Sequence, residues 1–281
     1  MSSDRQSGID LKMDRAHSAR MYDYYLGGYT NFPADREAAG RAIAAFPSAL
    51  ISARTNRRFM HRSTRFLAGL GLTQFLDIGT GIPTSPNLHE IAQSIDPAAH
   101  VLYTDNDPIV LAHAAALLHS TPEGRTAYTQ GDVTDPKALL EAPEVSEVLD
   151  LDRPVALSLN ALLHFVPDAG GTRADGAAAL GAHEIVELLK DRLAPGSTLT
   201  MTHLTADFDP ERIERATAVY RAAGTHCQAR SRAEFTAFFD GWTLLDPGVA
   251  SAQRWRPDRE DELGGVTDAE ACCYVAIARK P

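Results

Sequence analysis

The sequence predicts an α/β fold: a doubly wound, mostly parallel sheet of seven strands with helices on both faces. Three observations carry this prediction. From Gln74 onward, short apolar runs alternate with amphipathic helical segments, which is typical of parallel strands joined by crossover helices. Before Gln74, apolar residues recur at helical spacing instead. Near the C-terminus, two strand candidates follow each other across a long polar segment.

The N-terminal quarter of the chain predicts helices only. One helix is expected to begin at Pro33, and a second carries Phe59 on its apolar stripe and stops near Gly69. We therefore expect residues 1–70 to form a helical cap or lid that belongs to the same domain. Residues 71–281 are expected to form the sheet domain.

The strands and crossover helices are assigned in chain order. The predicted strands are Phe75–Ile78, His100–Thr104, Ala127–Thr129, Val155–Leu159 and Thr198–Thr202, with a closing pair at Trp242–Leu245 and Cys272–Ala278. The predicted helices cover Leu88–Ile95, Ile109–Leu118, a segment opened by Asp135-Pro136, Glu184–Leu193, Pro210–Ala222 and a segment capped by Ser231 and Glu234. A long polar loop, Pro247–Glu270, is expected to join the closing pair.

Charge and composition exclude several classes of protein. The 281 residues contain 27 Lys and Arg against 37 Asp and Glu, a net charge of −10. This balance argues against a nucleic-acid partner, because phosphate neutralisation needs a basic surface. The start is too polar for a secretory signal, and the longest nearly uncharged stretch, Val155–Pro167, is shorter than the roughly 20 residues that span a bilayer. We expect a cytoplasmic protein with no membrane partner.

The three cysteines, Cys227, Cys272 and Cys273, predict neither a disulfide framework nor a metal site. The adjacent pair is expected to face opposite sides of a strand, as one core and one surface residue.

A glycine loop follows the first predicted strand. Asp77 ends that strand, and Gly79, Thr80 and Gly81 follow it. Two glycines allow close backbone approach to a ligand ahead of a helix. A dinucleotide site is disfavoured, because it usually has Gly or Ala where this chain has Thr84 and an apolar residue in place of the acid. A carboxylate here suits a ligand with an ammonium or sulfonium group, which indicates S-adenosylmethionine; a glycine turn without a ligand is the alternative.

Carboxylates also end the next two strands. Asp105 is predicted to accept hydrogen bonds from the ribose hydroxyls, and the adjacent Asn106 is assigned to the same cofactor site. At the third strand end, Asp132 is predicted to face the adenine amino group and Val133 to pack on the ring. Taken alone, an aspartate at this position is more often a turn residue, whereas three acids at three successive strand ends favour a ligand site.

The fourth strand ends across the switch point from the glycine loop. Asn160 and Ala161 are therefore expected to meet the amino-acid portion of the ligand. His164 is the only histidine assigned to this end of the sheet. Because histidine has a near-neutral intrinsic pKa, it could act as a general base. A histidine that satisfies local backbone groups is the alternative.

These residues together resemble a class I, Rossmann-like S-adenosylmethionine-dependent methyltransferase. A narrower resemblance covers nearly the whole chain: Ala19 to Phe32, Asn56 to Phe59, Phe75 to Gly81 and Trp255 to Pro257 look like the actinobacterial S-adenosyl methyltransferase family once catalogued as a domain of unknown function. The sequence departs from that family at Tyr29, where a lysine or similar polar residue is common.

The segment Tyr22–Phe32 combines tyrosines with a Gly-Gly pair, which suits a lid over the cofactor. Tyr22 and Gly27 are accordingly assigned to the cofactor site; a helix end capped by Gly27 is the alternative. Arg57 is expected to bind the methionine carboxylate with its guanidinium, or else to be a solvated helix residue.

The sequence therefore predicts a methyltransferase that acts on a small-molecule acceptor by in-line methyl transfer, without a metal. A non-catalytic, S-adenosylmethionine-binding regulatory protein is the main alternative, and a nicotinamide oxidoreductase is the third. The acceptor and the oligomeric state do not follow from the sequence.

Overall fold

The computed structural model describes residues 12–110, 119–168, 179–259 and 265–281, and its centre is one twisted sheet. The strands are β1 (Gln74–Ile78), β2 (His100–Asp105), β3 (Arg125–Gln130), β4 (Ala156–Asn160), β5 (Thr198–Leu204), β6 (Thr243–Leu244), β7 (Ala250–Ser251) and β8 (Cys273–Arg279). Their order is β3-β2-β1-β4-β5-β8-β6, and β7 pairs with β8 off this path. The five predicted parallel strands and the closing pair are confirmed within two residues at each end.

The strand order creates the predicted switch point. Strand β1 pairs in parallel with β2 on one side and with β4 on the other, so the chain leaves the sheet in opposite directions after β1 and β4. Strand β8 lies antiparallel between β5 and β6, as the class I methyltransferase resemblance implies. A cleft at the carboxyl ends of β1 and β4 follows from this order.

Helices surround the sheet. They are α1 (Ser18–Tyr25), α2 (Pro33–Ala45), α3 (Ala49–Gly69), α4 (Leu88–Ile95), α5 (Pro136–Leu140), α6 (Pro143–Val148), α7 (Ala182–Asp191), α8 (Pro210–Ala222), α9 (Arg232–Ala237) and α10 (Asp268–Ala271). The first three of them, α1 to α3, are here called the cap. Sequence-predicted caps hold two of them. The Asp135 carboxylate accepts from the Ala138 amide, and Ser231 and Glu234 form a capping box. A further helix begins at Pro108; most of the predicted helix Ile109–Leu118 lies outside the described residues.

The cap joins the sheet through α3. Phe59, Met60 and Leu67 of this helix pack against the sheet residues Phe75 and Val275 in one continuous core. Helices α1 and α2 pack above it through a small core rich in alanine, which lets their backbones approach closely. The cap therefore lies over the sheet edge where the switch point opens.

The closing segment differs from the predicted polar loop. Pro247–Glu270 contains β7, a 3₁₀ turn at Ala252–Arg254 and most of α10, and Trp255 within it is fully buried. The Trp255 ring packs edge-on against Phe59 and Phe66 of α3, with centroid separations of 5.1 and 5.6 Å. Burial of this one aromatic side chain attaches the segment to the core. The polar composition of the segment gave no indication of this attachment.

The prediction that one of the adjacent cysteines is exposed is wrong. Cys272 and Cys273 are both buried, because Cys272 lies before the strand in a left-handed conformation, with φ of 44°. All three cysteines are free thiols. Among the described residues, no helix is long and apolar enough to cross a membrane, and no cluster of potential metal ligands is present.

Candidate functional site

A large cavity opens at the carboxyl ends of β1, β2, β4 and β5, beneath helices α1 to α3. Its volume is about 200 Å³, and its lining residues range from His17 of the N-terminal segment to Ile213 of α8 and Cys273 of β8. Eleven of the residues that sequence reasoning assigned to the site line it. They are Tyr22, Arg57, Asp77, Gly79, Thr80, Gly81, Asp105, Asn106, Asn160, Ala161 and His164.

The glycine loop forms one wall through backbone conformations that side chains disfavour. Gly79 and Gly81 have φ of +74° and +68°. A Cβ added to Gly79 would lie 2.7 Å from a methyl carbon of Leu162, whereas one added to Gly81 would meet no atom within 4 Å. Gly79 therefore lets the loop after β1 pass close to the loop after β4, across the switch point.

Asp105 is fixed by two backbone amides, one from the glycine loop and one from its own loop after β2. Its two carboxylate oxygens accept hydrogen bonds from the amides of Gly81, at 2.7 Å, and of Asp107, at 2.9 Å. Burial raises the pKa of this carboxyl, and the two amide hydrogen bonds oppose that rise. Each oxygen keeps a lone pair, so the side chain can accept further hydrogen bonds from a diol.

Asp77 is the acid of the glycine loop and is nearly fully buried. Burial raises its pKa to about 7, although the Arg57 charge and a hydrogen bond with Thr80 favour ionisation. An ionised carboxylate here lacks a full countercharge. A bound cation would supply one.

Helix α3 contributes two side chains to the cavity, Arg57 and Asn56, and Asn56 also holds the Tyr22 hydroxyl. The Arg57 Nη2 atom donates to the carbonyl oxygens of Thr84 and Pro86, while its buried Nε has no partner among the described residues. The Asn56 amide nitrogen donates to the Tyr22 hydroxyl at 2.8 Å, and the Asn56 oxygen is buried without a partner there. Arg57 is thus held at the cavity and is not a solvated helix residue.

Asn160 ends β4 with both amide atoms buried and without a hydrogen-bond partner among the described residues. The next residue, Ala161, has φ of 51° and donates its amide to the Thr202 hydroxyl at 2.7 Å. A left-handed conformation at a non-glycine residue is strained. That turn directs the chain from β4 over the cavity.

His164 lies in the 3₁₀ turn Leu163–Phe165, and its Nδ1 is buried without a partner among the described residues. Burial, together with the nearby His203 and Arg230, holds its pKa well below the ordinary value. The near-neutral intrinsic pKa of a histidine side chain is therefore not kept in this environment. The imidazole is neutral at physiological pH, with the polar Nδ1 unsatisfied.

Arg230 fixes the turn that carries His164. Its fully buried guanidinium donates to the carbonyl oxygens of Leu163 and Val166, at 2.8 and 2.9 Å, and to the Asp168 carboxylate, at 2.6 Å. It also lies 2.6 Å from Nε2 of His203, whose Nδ1 donates to a backbone carbonyl. These hydrogen bonds hold the His164 turn in place.

Three predicted residues do not line the cavity. Gly27, with φ of +82°, follows the C-cap of α1. This agrees with the alternative given above, in which Gly27 ends the helix. Asp132 is exposed and accepts from Thr134 and, at 3.2 Å, from the Asn106 amide. Val133 packs in the core of the sheet domain. The adenine contacts assigned to Asp132 and Val133 stay predictions.

The residues that close the far end of the cavity were not predicted from the sequence. They are Tyr25, Phe46, Phe165, Ile213, Ala216 and Tyr220. Ile213, Ala216 and Tyr220 recur at helical spacing on α8, which predicts a buried stripe but not what it faces. Tyr25 lies three residues after Tyr22 and so shares its helix face, which is the one local signal available.

The comparisons with known proteins agree with this geometry. A family model described as S-adenosyl methyltransferase matches residues 4–281. The chain is similar to a DUF574 family protein from Streptomyces avermitilis, with 44% identity, a TM-score of 0.89 and coverage of 97% of this chain and 100% of that one. It is also similar to a provisionally assigned methyltransferase from Thermobifida fusca, with 36% identity, a TM-score of 0.84 and coverage of 96% and 97%.

More distant similarity extends to the fold alone. A provisionally assigned methyltransferase, solved with the Trm112 activator of Haloferax volcanii, shares 16% identity over 86% of this chain and 97% of that one, with a TM-score of 0.50. No curated protein matches the sequence.

Proposed function

Since the chain belongs to the S-adenosyl methyltransferase family, whose cofactor is S-adenosylmethionine, we propose that it transfers the methyl group of that cofactor to a small-molecule acceptor. The observation that carries this proposal is a set of buried polar atoms around the cavity. Asn56 Oδ1, Arg57 Nε and both amide atoms of Asn160 have no hydrogen-bond partner among the described residues. Buried polar groups are rarely left unpaired unless a ligand or water satisfies them.

The unpaired groups match an amino-acid zwitterion. Arg57 Nε is a donor that suits a carboxylate, and the Asn160 amide oxygen and the Asp77 carboxylate suit an ammonium group. Asp105 presents a fixed carboxylate to the ribose diol. The residues of the cavity thus fit the methionine and ribose portions of the cofactor.

When bound, the cofactor supplies a methyl group activated by a positively charged sulfur. The protein then has to hold the acceptor in line with that methyl group and exclude water. Positioning of this kind can account for roughly 7 to 11 kcal/mol of a barrier in favourable systems. The cap formed by α1 to α3 covers the cavity and serves this role. An elaborate set of catalytic side chains is not needed.

His164 is proposed to receive the acceptor's proton. Its low pKa makes it a weak base, yet it is unprotonated at physiological pH and so free to accept a hydrogen bond. An attacking hydroxyl becomes strongly acidic as its bond to carbon forms, so a weak base is sufficient late in the reaction.

Calorimetry with S-adenosylhomocysteine tests the cofactor site. We expect binding to the wild type, and a loss of at least about tenfold in Asp105→Ala and in Asn160→Leu, since each removes buried hydrogen bonds to the ligand. Asp152→Ala, at an exposed position, is the control and should bind as the wild type does. No binding at millimolar ligand, or unchanged affinity in both site variants, would contradict the assignment.

A regulatory protein that binds the cofactor without turnover is the second candidate. The weak basicity of His164 favours it, because no stronger base lines the far end of the cavity among the described residues. Incubation with methyl-labelled cofactor and a cell extract distinguishes the two. Reproducible transfer of label excludes a pure sensor, whereas binding without transfer from any extract supports one.

We also propose that the acceptor is a small molecule and that the protein acts in the cytoplasm. A cavity covered by three helices suits a small molecule better than a polymer. Three free thiols are consistent with a reducing compartment.

A further inference from the structure

The cavity continues beyond the proposed cofactor groups into an apolar end, here called the acceptor chamber. Its walls are Tyr25, Phe46, Phe165, Ile213, Ala216 and Tyr220. They come from α1, the C-cap of α2, the His164 turn and α8. The chamber is therefore assembled by the cap and α8 together, outside the sheet edge that carries the glycine loop.

Charge separates the two ends of the cavity. Among the described residues that line it, the Asp, Glu, Lys and Arg side chains are Arg57, Asp77 and Asp105, and all three belong to the cofactor end. The acceptor chamber has no such group to pair with an ionised ligand. A charged acceptor would lose its hydration there without compensation.

Two tyrosine hydroxyls provide the polar group of the chamber. The Tyr25 and Tyr220 oxygens lie 3.0 Å apart and form one hydrogen bond between them. Burial raises the pKa of Tyr25 to about 12 and that of Tyr220 well above its usual value, so both keep their protons. Two protons and one mutual hydrogen bond leave one O–H, which can donate to a neutral oxygen of a ligand.

Aromatic rings line the path from this pair to His164. The Phe165 ring lies 5.6 Å from the Tyr220 ring and 4.2 Å from the His164 ring, measured between centroids. Such faces suit a flat ring. At the inner end, the buried Nδ1 of His164 has no partner among the described residues and can accept a hydrogen bond from a hydroxyl group.

We propose that the acceptor chamber binds an uncharged aromatic molecule bearing a hydroxyl group, with that hydroxyl at His164, its ring packed against the side chains of Phe165 and Tyr220, and a second neutral oxygen at the Tyr25–Tyr220 pair. This rests on the proposed methyltransferase function. In the reaction, a lone pair of the hydroxyl oxygen forms the new bond to the methyl carbon. The carbon–sulfur bond breaks with its electron pair going to sulfur, and the hydroxyl proton passes to His164 and then to water. The products are an aryl methyl ether and the thioether form of the cofactor.

Calorimetry on the full chain saturated with S-adenosylhomocysteine tests the chamber, with a dihydroxynaphthalene as the neutral probe and naphthoate as the anionic one. We expect the neutral probe to bind at least about tenfold more tightly than naphthoate, because the anion has no countercharge in the chamber. Tyr220→Phe keeps the ring and should weaken the neutral probe about threefold to tenfold, the effect of one hydrogen bond.

A second variant tests shape. Ala216→Leu fills the chamber from α8 and should abolish probe binding while S-adenosylhomocysteine still binds. Ala218→Leu, at an exposed position of the same helix, is the matched control and should change neither. Naphthoate binding as tightly as the neutral probe, or full probe binding in both Tyr220→Phe and Ala216→Leu, would overturn the proposal. Failure of S-adenosylhomocysteine itself to bind the wild type would instead contradict the proposed function.

Discussion

The Arg20 guanidinium and the Asp107 carboxylate form a buried, two-point ion pair between the cap and the sheet. Arg20 Nε donates to Asp107 Oδ2 at 2.9 Å, and Nη2 donates to Oδ1 at 3.2 Å. Arg20 belongs to α1, which also carries Tyr22. Asp107 follows the cofactor-site residue Asp105 by two positions and accepts from the amide of Ile109. The pair therefore fixes the cap to the loop that presents Asp105.

We predict that Arg20→Ala lowers the free energy of unfolding by about 3 to 5 kcal/mol, because the buried Asp107 carboxylate loses its arginine and keeps, among the described residues, only His17 Nδ1, at 3.2 Å, and the Ile109 amide. It should also weaken S-adenosylhomocysteine binding, since α1 loses its attachment beside the site. Urea denaturation and calorimetry measure the two effects. Arg41→Ala, which breaks an exposed pair with Glu37, is the control and should change little. Equal losses in the two variants would show that the buried pair has no special role.

Gly79→Ala is predicted to be more harmful than Gly71→Ala, although both glycines have positive φ. At Gly71, with φ of +87°, the added methyl meets open space, so the cost is the backbone penalty of about 1–2 kcal/mol. At Gly79 the contact with Leu162 adds about 1–3 kcal/mol more. Denaturant titration of both variants measures the difference. Leu162→Ala combined with Gly79→Ala should recover part of the loss, and no recovery would refute the steric explanation.

Ligand affinity is predicted to depend on pH through Asp77. The pKa of about 7 means that the carboxyl is largely protonated below neutrality in the free protein, while a bound ammonium group favours the ionised form. Binding then releases a proton below pH 7, so affinity should rise with pH, by at most about tenfold per unit, and level off above 7. Calorimetry across this range measures the profile. Asp77→Asn should bind more weakly and flatten it; an unchanged slope in that variant would assign the titration to another group.

The same carboxyl should make the free protein less stable at neutral pH. Its folded-state pKa lies above the unfolded value, so the folded state binds more protons between about pH 4 and 7. Stability from this group is therefore present at low pH and is lost as pH rises toward 7. Asp77→Asn should raise the stability of the ligand-free protein at pH 8, measured by urea denaturation. A decrease there would contradict the buried, raised-pKa assignment.

The Arg230 charge is predicted to lower the pKa of His203 further than burial alone does. Burial, and then the Arg230 charge, lower the pKa of His203 to about 3. Arg230→Met should raise this pKa only in part, because burial remains. A folded-state pKa below the unfolded one also means that stability is lost as pH falls below about 6.5. NMR titration of the histidine rings measures the shift, with Arg232→Met as a nearby control. An unchanged His203 pKa would remove the electrostatic role of Arg230.

Much of the fold followed from local sequence patterns, because strands and helix caps are local signals. The five parallel strands, the cap of Asp135 and the capping box of Ser231 and Glu234 needed only neighbouring residues to be recognised. The strand-end acids Asp77 and Asp105 were likewise predictable, since parallel strands bring their carboxyl ends to one edge.

The rest depended on contacts between distant residues. The Tyr25–Tyr220 pair joins positions 195 apart, and Arg230 donates to the Leu163 carbonyl of the His164 turn, 67 positions earlier. Trp255 gave no periodic signal within a polar segment, and its burial depends on α3. The lowered pKa of His164 comes from burial and from charges on other elements, so its sequence neighbours could not reveal it.

The most direct test of the central claim is a crystal structure of the full chain grown with S-adenosylhomocysteine. We predict ligand density in the cavity beneath α1 to α3, with the ribose at Asp105 and the amino-acid portion at Arg57, Asp77 and Asn160. Density at another place, or a cavity free of ligand in crystals grown at saturating concentration, would contradict the account.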